Sequence, residues 1–210
     1  MQLPQAKGQT QLDPIYDASG SIASNTLPQL VLPMARGRSM ILIQNLSTHS
    51  MWFDFGTAKA HCAITSGAVS SVTVDNAGFN FTYPPVVEFL GGGLKGFDGR
   101  PNTRFLGGNV PNYDGPTRPA RAHAVLSGSS IGSIVIDDPG AGYGIAPYVW
   151  IHNDVNDPYG ATDPSQSSGN GILLASGSAP LILNGTMCPT DPLAVFCGTA
   201  DSLFTVKWMP

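Results

Sequence analysis

Apolar and polar positions alternate with a period of two along much of this chain. The pattern is clearest in "VSSVTVD", which begins at Val69, and in "IGSIVID", which begins at Ile131. A period of two is typical of β-strands that bury one face. Glycine, proline and asparagine interrupt each run after a few residues, which leaves no room for long helices. We therefore predict an all-β protein built from short strands.

Both runs belong to a segment that is written twice. An offset of 62 residues (123 minus 61) aligns "KAHCAITSGAVSSVTVDNAGFNFTYPPVVEF" with "RAHAVLSGSSIGSIVIDDPGAGYGIAPYVWI" without a gap. Each copy predicts a short strand, a half-buried second strand, a glycine turn covered by an aromatic ring, and a third strand entered through proline. A three-stranded unit buries little alone, so the copies should pack on each other or on partner subunits. The aligned pairs include His61 with His123, Asp75 with Asp137, Gly78 with Gly140, Phe81 with Tyr143, and Pro85 with Pro147.

The segments on either side of the two copies also predict short strands separated by turns. Joined, they supply about six strands, close to the number in a β-sandwich. We therefore predict a discontinuous β-sandwich or jelly-roll-like domain, with a pair of three-stranded β-repeats inserted between its halves. The predicted boundaries are an extended N-terminal arm at 1–26, the sandwich at 27–57 plus 171–210, the repeats at 58–91 and 120–154, an inter-repeat loop at 92–119, and a polar loop at 155–170.

The charge of the chain bears on how its surface is covered and on which partners it can bind. Only 11% of the residues are charged, against about a quarter in typical globular proteins. Such a surface indicates either partial cover by neighbouring subunits or the polar, uncharged exterior of some secreted β-proteins. The net charge of −4 and the lack of a basic cluster beyond Arg36 and Arg38, at an expected hairpin tip, argue against nucleic acid as a partner. No apolar run is long enough for a membrane span or a secretion signal, and we expect neither.

Two motifs have the residue types of a reactive site. "GSSIG" at 128–132 matches the G-x-S-x-G nucleophile elbow, but that elbow needs a following helix and a strand is predicted here, so we interpret it as a loop. His61 and His123 are equivalent in the two copies. They either form a paired metal or acid–base site or fill one structural position twice, and we favour the second interpretation.

The aspartates have a similar ambiguity. Asp137 and Asp138, with Asp75 and Asn76 in the first copy, stand where the second strands end. They either form a carboxylate pair or cap turns, and we expect them to cap turns. The loop "HNDVNDPYGATD" offers calcium ligands in Asp154, Asp157 and Asp163, but lacks the order of an EF-hand loop. Cys62, Cys188 and Cys197 are expected to be free thiols, with a Cys188–Cys197 bridge as the alternative. We predict no metal, no cofactor and no enzymatic activity.

The candidate contact residues lie in two segments, the N-terminal arm and the inter-repeat loop, and the loop combines aromatic side chains with arginine. That mix is typical of protein interface hot spots. Sugar stacking is the alternative use of the aromatic rings. The candidates are Leu12, Ile15 and Tyr16 in the N-terminal arm, and Phe97, Arg100, Arg104, Phe105, Tyr113 and Arg118 in the inter-repeat loop.

Several stretches resemble a known group of proteins. "RSMILIQNLSTHSMWFDFGTA" and the late "GTADSLFTVKWM" are similar to successive strands in small virion proteins of tailed bacteriophages. The second copy carries the "G-x-G-Y-x-x-x-P-x-V" pattern of β-repeats common in phage structural and adhesion proteins. The first copy departs from that pattern, with Phe79 and Asn80 in its turn.

The resemblance implies a capsid decoration (cement) protein, made in the host bacterial cytoplasm and located on the virion. Such a protein binds the outer capsid surface and bridges subunits of the major capsid protein, which stabilises the assembled head by mass action. A closed homo-oligomer is expected, with a trimer favoured. The alternative is a tail, fibre or host-adhesion module that binds cell-surface glycans through the repeats.

Overall fold

The computed structural model describes residues 15–35, 37–92, 118–154, 156–165 and 171–210. No α-helix occurs in these ranges, and no helix there is long and apolar enough to cross a membrane. The all-β, sandwich-like class predicted from the sequence is confirmed. The elements are β1 (Tyr16–Asp17), β2 (Gly20–Ser21), β3 (Gln29–Leu32), β4 (Met40–Asn45), β5 (Met51–Phe55), β6 (Lys59–Thr65), β7 (Ala68–Asn76), β8 (Val86–Leu90), β9 (Arg121–Ser127), β10 (Ser130–Asp138), β11 (Tyr148–His152), β12 (Ile172–Leu174), β13 (Leu181–Asn184), a 3-10 turn (Gly185–Met187), β14 (Leu193–Phe196) and β15 (Leu203–Met209).

Two antiparallel sheets form a sandwich from the two ends of the chain. One sheet has the order β1-β15-β4-β13, with β2 also paired to β15, and the other has the order β12-β5-β14-β3. Alternating side chains fill the space between them; Phe53 of one sheet meets Phe204 of the other edge-on, with ring centroids 6.2 Å apart. Burying side chains of this size stabilises the fold by roughly 1.5–3 kcal/mol each. The core is therefore a product of both chain ends and not of either alone.

The crossover between β3 and β4 differs from the sequence expectation. These strands lie in different sheets, so the segment around Gly37 is not a hairpin tip. Arg38 is buried there, and its guanidinium donates hydrogen bonds to the carbonyl oxygens of Pro33 and Asp191. Burial lowers the pKa of this guanidinium. Arg38 thus fastens the crossover to the segment before β14.

The described part of the expected N-terminal arm, 15–26, is also not extended into solvent. β1 and β2 add to the edge of β15, and the backbone N–H of Ile22 donates to the carbonyl oxygen of Ser202 at 3.0 Å. Ile22 is fully buried in the sandwich core. The sequence shows no periodicity here because two-residue strands are too short to display one.

The repeats are present as two copies of one backbone, and they exchange their third strands. Within each copy the first two strands form a hairpin, β6 with β7 and β9 with β10. The third strands leave their own copies: β11 lies between β6 and β8 in a sheet of order β7-β6-β11-β8. Exchange gives the copies a common core, which explains how two small units bury enough apolar surface.

Hydrogen bonds that cross between the copies come in reciprocal pairs. The N–H of Val69 donates to the carbonyl of Pro139 at 2.8 Å, and the N–H of Ile131 donates to that of Ala77 at 2.9 Å. Adding 62 to Val69 gives Ile131, and subtracting 62 from Pro139 gives Ala77. The two bonds therefore join equivalent residues of the two copies. The same holds for the bonds from Phe81 to Ser129 and from Tyr143 to Gly67, both 3.0 Å. The two copies are therefore related by a pseudo-twofold axis.

Glycine is required where the aromatic ring folds back over the turn. Gly78 and Gly140 have φ of +62° and +68°, and a Cβ on either would come within 2.8 Å of the ring of Phe81 or Tyr143. Both rings are buried, as the sequence predicted. The departure noted in the first copy is resolved by backbone conformation: Asn80 has φ of +64°, which asparagine tolerates better than most residues.

A short segment, 156–165, connects the repeats to the sandwich. The N–H of Thr162 donates to the carbonyl of Gly56 at 2.9 Å, and its hydroxyl donates to the buried carboxylate of Asp54 at 3.1 Å. Lys59, at the start of the first repeat, also reaches Asp54, with Nζ to Oδ2 at 2.7 Å. These contacts hold the start of β6, and with it the sheet β7-β6-β11-β8, against the sandwich.

Candidate interaction surfaces

Most of the predicted contact residues lie outside the described ranges: Leu12, Phe97, Arg100, Arg104, Phe105 and Tyr113. Ile15 and Tyr16 are exposed at the sandwich edge, where the Tyr16 ring stacks on Trp208 with centroids 4.6 Å apart. Arg118 lies in the repeat unit, and its Nη2 is 3.0 Å from Asp138 Oδ1. The described members of the set therefore lie on different units and form no single site.

A different group of side chains is gathered on the outward face of the sheet β7-β6-β11-β8. In β11, Val149 and Ile151 point into the core, so Tyr148, Trp150 and His152 point outward. Tyr148 is 65% and Trp150 41% exposed. The register with β8 sets Leu90 opposite Tyr148, Glu88 opposite Trp150, and Val86 opposite His152. We call Tyr148, Trp150, His152, Leu90 and Glu88 the aromatic strip.

Ring contacts fix the geometry at the centre of the aromatic strip. The rings of Trp150 and His152 lie 4.2 Å apart between centroids, with an interplanar angle of 34°. His152 Nδ1 lies 3.2 Å from the carbonyl oxygen of Asn153, and its Nε2 is 3.9 Å from Glu88 Oε2. The Trp150 ring thus contacts the His152 ring within its own strand, and Glu88 lies opposite it on β8.

The strip continues toward the hairpin β6–β7 through a histidine–aspartate pair. Val149 pairs with Ala60, so in this antiparallel register Tyr148 lies across from His61. His61 Nδ1 is 2.7 Å from Asp75 Oδ1, and both side chains are exposed. The equivalent pair in the second copy, His123 and Asp137, has the same contact at 2.9 Å. These pairs favour the structural interpretation of the histidines, since each bridges its own hairpin.

A cavity of about 450 Å³ lies where the strand pair β8–β11 ends. Tyr83, Pro84, Asp154 and Asn156 line it. The Tyr83 side of the cavity is held by Asp157, a buried carboxylate whose Oδ2 accepts the backbone N–H groups of Thr82 and Tyr83 at 2.7 and 2.8 Å. The cavity wall is therefore built on a hydrogen-bonded loop, next to the His152 end of the aromatic strip.

The calcium candidates do not converge. Asp154 Oδ1 accepts the N–H of Asn156 at 2.8 Å, Asp163 Oδ1 accepts the N–H of Ser165 at 2.8 Å, and Asp157 holds the loop of Tyr83. In the described part of the chain, no three His, Cys, Asp or Glu side chains are grouped as metal ligands would be. Asp154 and Asp163 instead stabilise local turns, and Asp157 stabilises a loop that is distant in sequence.

The other motifs with reactive residue types are parts of the scaffold. Gly128 and Ser129 form the turn between β9 and β10, with φ of +64° at Gly128 alone, the pattern of a type II′ hairpin. Ser130 then begins a strand, so "GSSIG" is not an elbow before a helix. All three cysteines are free, which excludes the Cys188–Cys197 bridge, and burial raises the pKa of the Cys62 thiol.

The turn caps expected from the sequence are only partly right. Asn76 Oδ1 and Asp138 Oδ1 accept the N–H groups of Gly78 and Gly140, each at 2.9 Å, as a turn cap does. Asp75 and Asp137 instead contact the histidines across their hairpins. Strand alternation separates the two roles, because neighbouring residues point to opposite faces.

The sandwich has a second exposed apolar group on its sheet β12-β5-β14-β3. Trp52 of β5 pairs with Leu173 of β12 on one side and with Phe196 of β14 on the other. Their neighbours Phe53 and Val195 are fully buried in the core, so this row points away from it. Trp52 is 37% and Leu173 48% exposed. We call Trp52, Leu173 and Phe196 the apolar row.

No family model, no curated protein and no solved structure matches this chain. The two surfaces are therefore interpreted from their own geometry and chemistry. The sequence contains one indication of the aromatic strip. Tyr148 and Trp150 alternate with the apolar residues of the same strand, as outward residues do.

Proposed function

We propose that this protein is a capsid decoration protein of a tailed bacteriophage, which binds the outer surface of the assembled head and bridges subunits of the major capsid protein. The phage assignment comes from the resemblance of the flanking strands to virion proteins. The contact role is supported by one structural observation, the apolar row. An exposed tryptophan and leucine beside a partly exposed phenylalanine on the outer face of a sheet are typical of a surface that another protein covers.

The low charge of the chain supports the same proposal. With 11% charged residues, the polar exterior is mostly uncharged and costs less to remove from water against another subunit than a charged exterior would. Trp52 lies at the centre of its row, between two apolar neighbours, which is where hot spots occur. Bridging several subunits would then stabilise the head, since the protein binds the assembled form only.

The test is co-sedimentation of the purified protein with heads of the phage that encodes it, together with a count of copies per particle. We expect hundreds of copies on the head and none on unassembled capsid subunits. A handful of copies at the tail would support the tail or fibre alternative, and absence from the particle would refute the proposal. Mass photometry of the free protein tests the expected trimer.

A matched pair of variants locates the contact. Leu173→Ser changes the apolar row, whereas Ile182→Ser changes a leucine-sized side chain of similar exposure, 55%, on the opposite sheet of the sandwich. Both residues lie on edge strands, so the cost to folding should be similar. We expect only Leu173→Ser to weaken head binding, and the reverse result would assign the contact to the other sheet.

A further inference from the structure

We propose that the aromatic strip and the adjoining cavity form a binding site for a neutral oligosaccharide of two or three sugar rings. This proposal goes beyond capsid decoration and does not depend on it. It concerns the repeat unit, whereas the proposed capsid contact concerns the sandwich. The two can therefore fail separately.

The first argument is an internal comparison between the copies. Subtracting 62 from 150 gives 88, and Trp150 is paired directly with Glu88, so the pseudo-twofold axis passes between these two residues. The copies have similar residues at inward positions, with Val87 equivalent to Val149. At the outward positions of their third strands they differ completely. Tyr148, Trp150 and His152 of the second copy replace Val86, Glu88 and Leu90 of the first.

This difference shows which of these side chains the fold itself requires. The first copy forms the same strand with valine, glutamate and leucine at these positions, so the fold does not require aromatic rings there. Exposed aromatic side chains carry a large apolar area that water solvates poorly. Two exposed rings, Tyr148 and Trp150, with the half-buried His152 beside them on one strand of one copy therefore indicate a ligand that covers them.

The second argument concerns the size and shape of the ligand. A stable protein interface buries about 800 Å² on each partner, so a protein that bound either this strip or the apolar row would have to cover residues beyond them, whereas a small ligand would not. Ligand cavities for small molecules have volumes of about 300–1,000 Å³, and the cavity at the end of β8–β11 is about 450 Å³. A strip that leads into such a cavity fits a short chain of rings better than it fits a protein.

The third argument is chemical. Aromatic faces stack on the apolar faces of sugar rings, and carboxylate and amide groups beside them bond to hydroxyl groups. Glu88 lies opposite Trp150, and Asp154 and Asn156 line the cavity. The strip and cavity side chains include no lysine or arginine, and the cation that the same antiparallel register places across from Trp150, Lys59 of β6, is already paired with Asp54 at 2.7 Å. Anionic ligands such as phosphates and acidic glycans therefore meet no unpaired lysine or arginine among these residues. A neutral saccharide combines the apolar ring faces and the hydroxyl groups that these side chains can bind.

The experiment is a titration of the ¹⁵N-labelled full chain with maltotriose, cellotriose and chitotriose, and with trigalacturonic acid as an acidic comparison, followed by amide shifts. Concentrations up to about 10 mM saturate even a site with Kd near 1 mM. We expect at least one neutral trisaccharide to shift amides of β8, β11 and the segment 82–84. Failure of all three neutral sugars to bind, or binding of the acidic sugar alone, would overturn the proposal.

Two variants remove one ring each and are expected to keep the strand folded. Tyr148→Val introduces the residue found at the equivalent position of the first copy, Val86, and Trp150→Leu removes the ring while keeping an apolar side chain. Each should weaken binding by about tenfold, as expected for the loss of one stacked ring. Trp52→Leu, the same change at a similarly exposed tryptophan on the sandwich, should alter binding by less than twofold.

One outcome would reassign the surface. If Trp150→Leu abolishes association with phage heads and Leu173→Ser does not, the aromatic strip is a protein interface and the saccharide proposal is wrong. If Trp150→Leu abolishes sugar binding while head association is unchanged, the saccharide site stands whatever the fate of the capsid proposal.

Discussion

The change Gly140→Ala tests whether the aromatic ring over the turn holds the repeat unit together. A Cβ at this position would lie 2.6 Å from the carbonyl oxygen of Arg118, 2.7 Å from the amide nitrogen of Ala120, and 2.8 Å from the Tyr143 ring. Two of these three neighbours are backbone atoms, which cannot rotate away. The turn must therefore open, or the ring must leave its buried position.

The magnitude has two parts. An alanine at φ of +68° costs roughly 1–2 kcal/mol in the left-handed region. Forcing a methyl group into a packed site costs a further 1–3 kcal/mol, approximately. Gly177→Ala is the matched control, because Gly177 has φ of +69° but no atom within 4 Å of its Cβ position, so only the first part applies there.

The assay is thermal and urea unfolding of both variants beside the unchanged protein. At roughly 2–4 °C for each kcal/mol in a chain of this size, we expect Gly140→Ala to lower Tm by about 4–20 °C and Gly177→Ala by about 2–8 °C. Gly78→Ala, at the equivalent turn, should behave like Gly140→Ala. Equal losses for Gly140→Ala and Gly177→Ala would refute the account of ring-on-glycine packing.

Three further predictions test individual contacts. Tyr143→Phe, which introduces the residue of the first copy, should destabilise by about 1–2 kcal/mol because the buried N–H of Ala120 loses its acceptor at 2.7 Å; urea unfolding measures it. Asp157→Ala should destabilise by about 2–4 kcal/mol, because two backbone N–H groups lose a charged acceptor, whereas Asp154→Ala should cost under about 1 kcal/mol. Thiol titration without reductant should find three free thiols per chain in denaturant. In the native protein Cys62 should react with an alkylating reagent more slowly than in denaturant at the same pH, since burial shields the thiol and raises its pKa above the usual value.

The sequence predicted those features of the fold that depend on local pattern. The period of two placed the second strands, and the glycine–aromatic spacing predicted that Phe81 and Tyr143 fold over Gly78 and Gly140. The offset between the copies predicted a duplicated backbone. In each case the physical cause acts within a few residues, so the printed sequence contains the information.

The sequence did not predict features that depend on which strands meet. Alternation shows that Tyr148–His152 is a strand with an outward face, but the same pattern fits a strand paired with β6, β8 or both. The exchange of third strands was therefore missed, and with it the aromatic strip. Arg38 was placed at a hairpin tip for the same reason, because its carbonyl partners, among them that of Asp191, are distant in sequence.

The duplication also explains where a function can be added to this fold at little cost to its stability. Inward positions such as Val87 and Val149 are constrained in both copies, because each packs into the shared core. Outward positions near the pseudo-twofold axis have no such constraint, and the pair Glu88 and Trp150 shows how far they can differ. Since strand exchange sets the third strands side by side, substitutions in one copy lie next to unchanged residues of the other. A single diverged strand is thus sufficient to turn a symmetric, purely structural sheet into an asymmetric surface with a ring, a carboxylate and a cavity in one line.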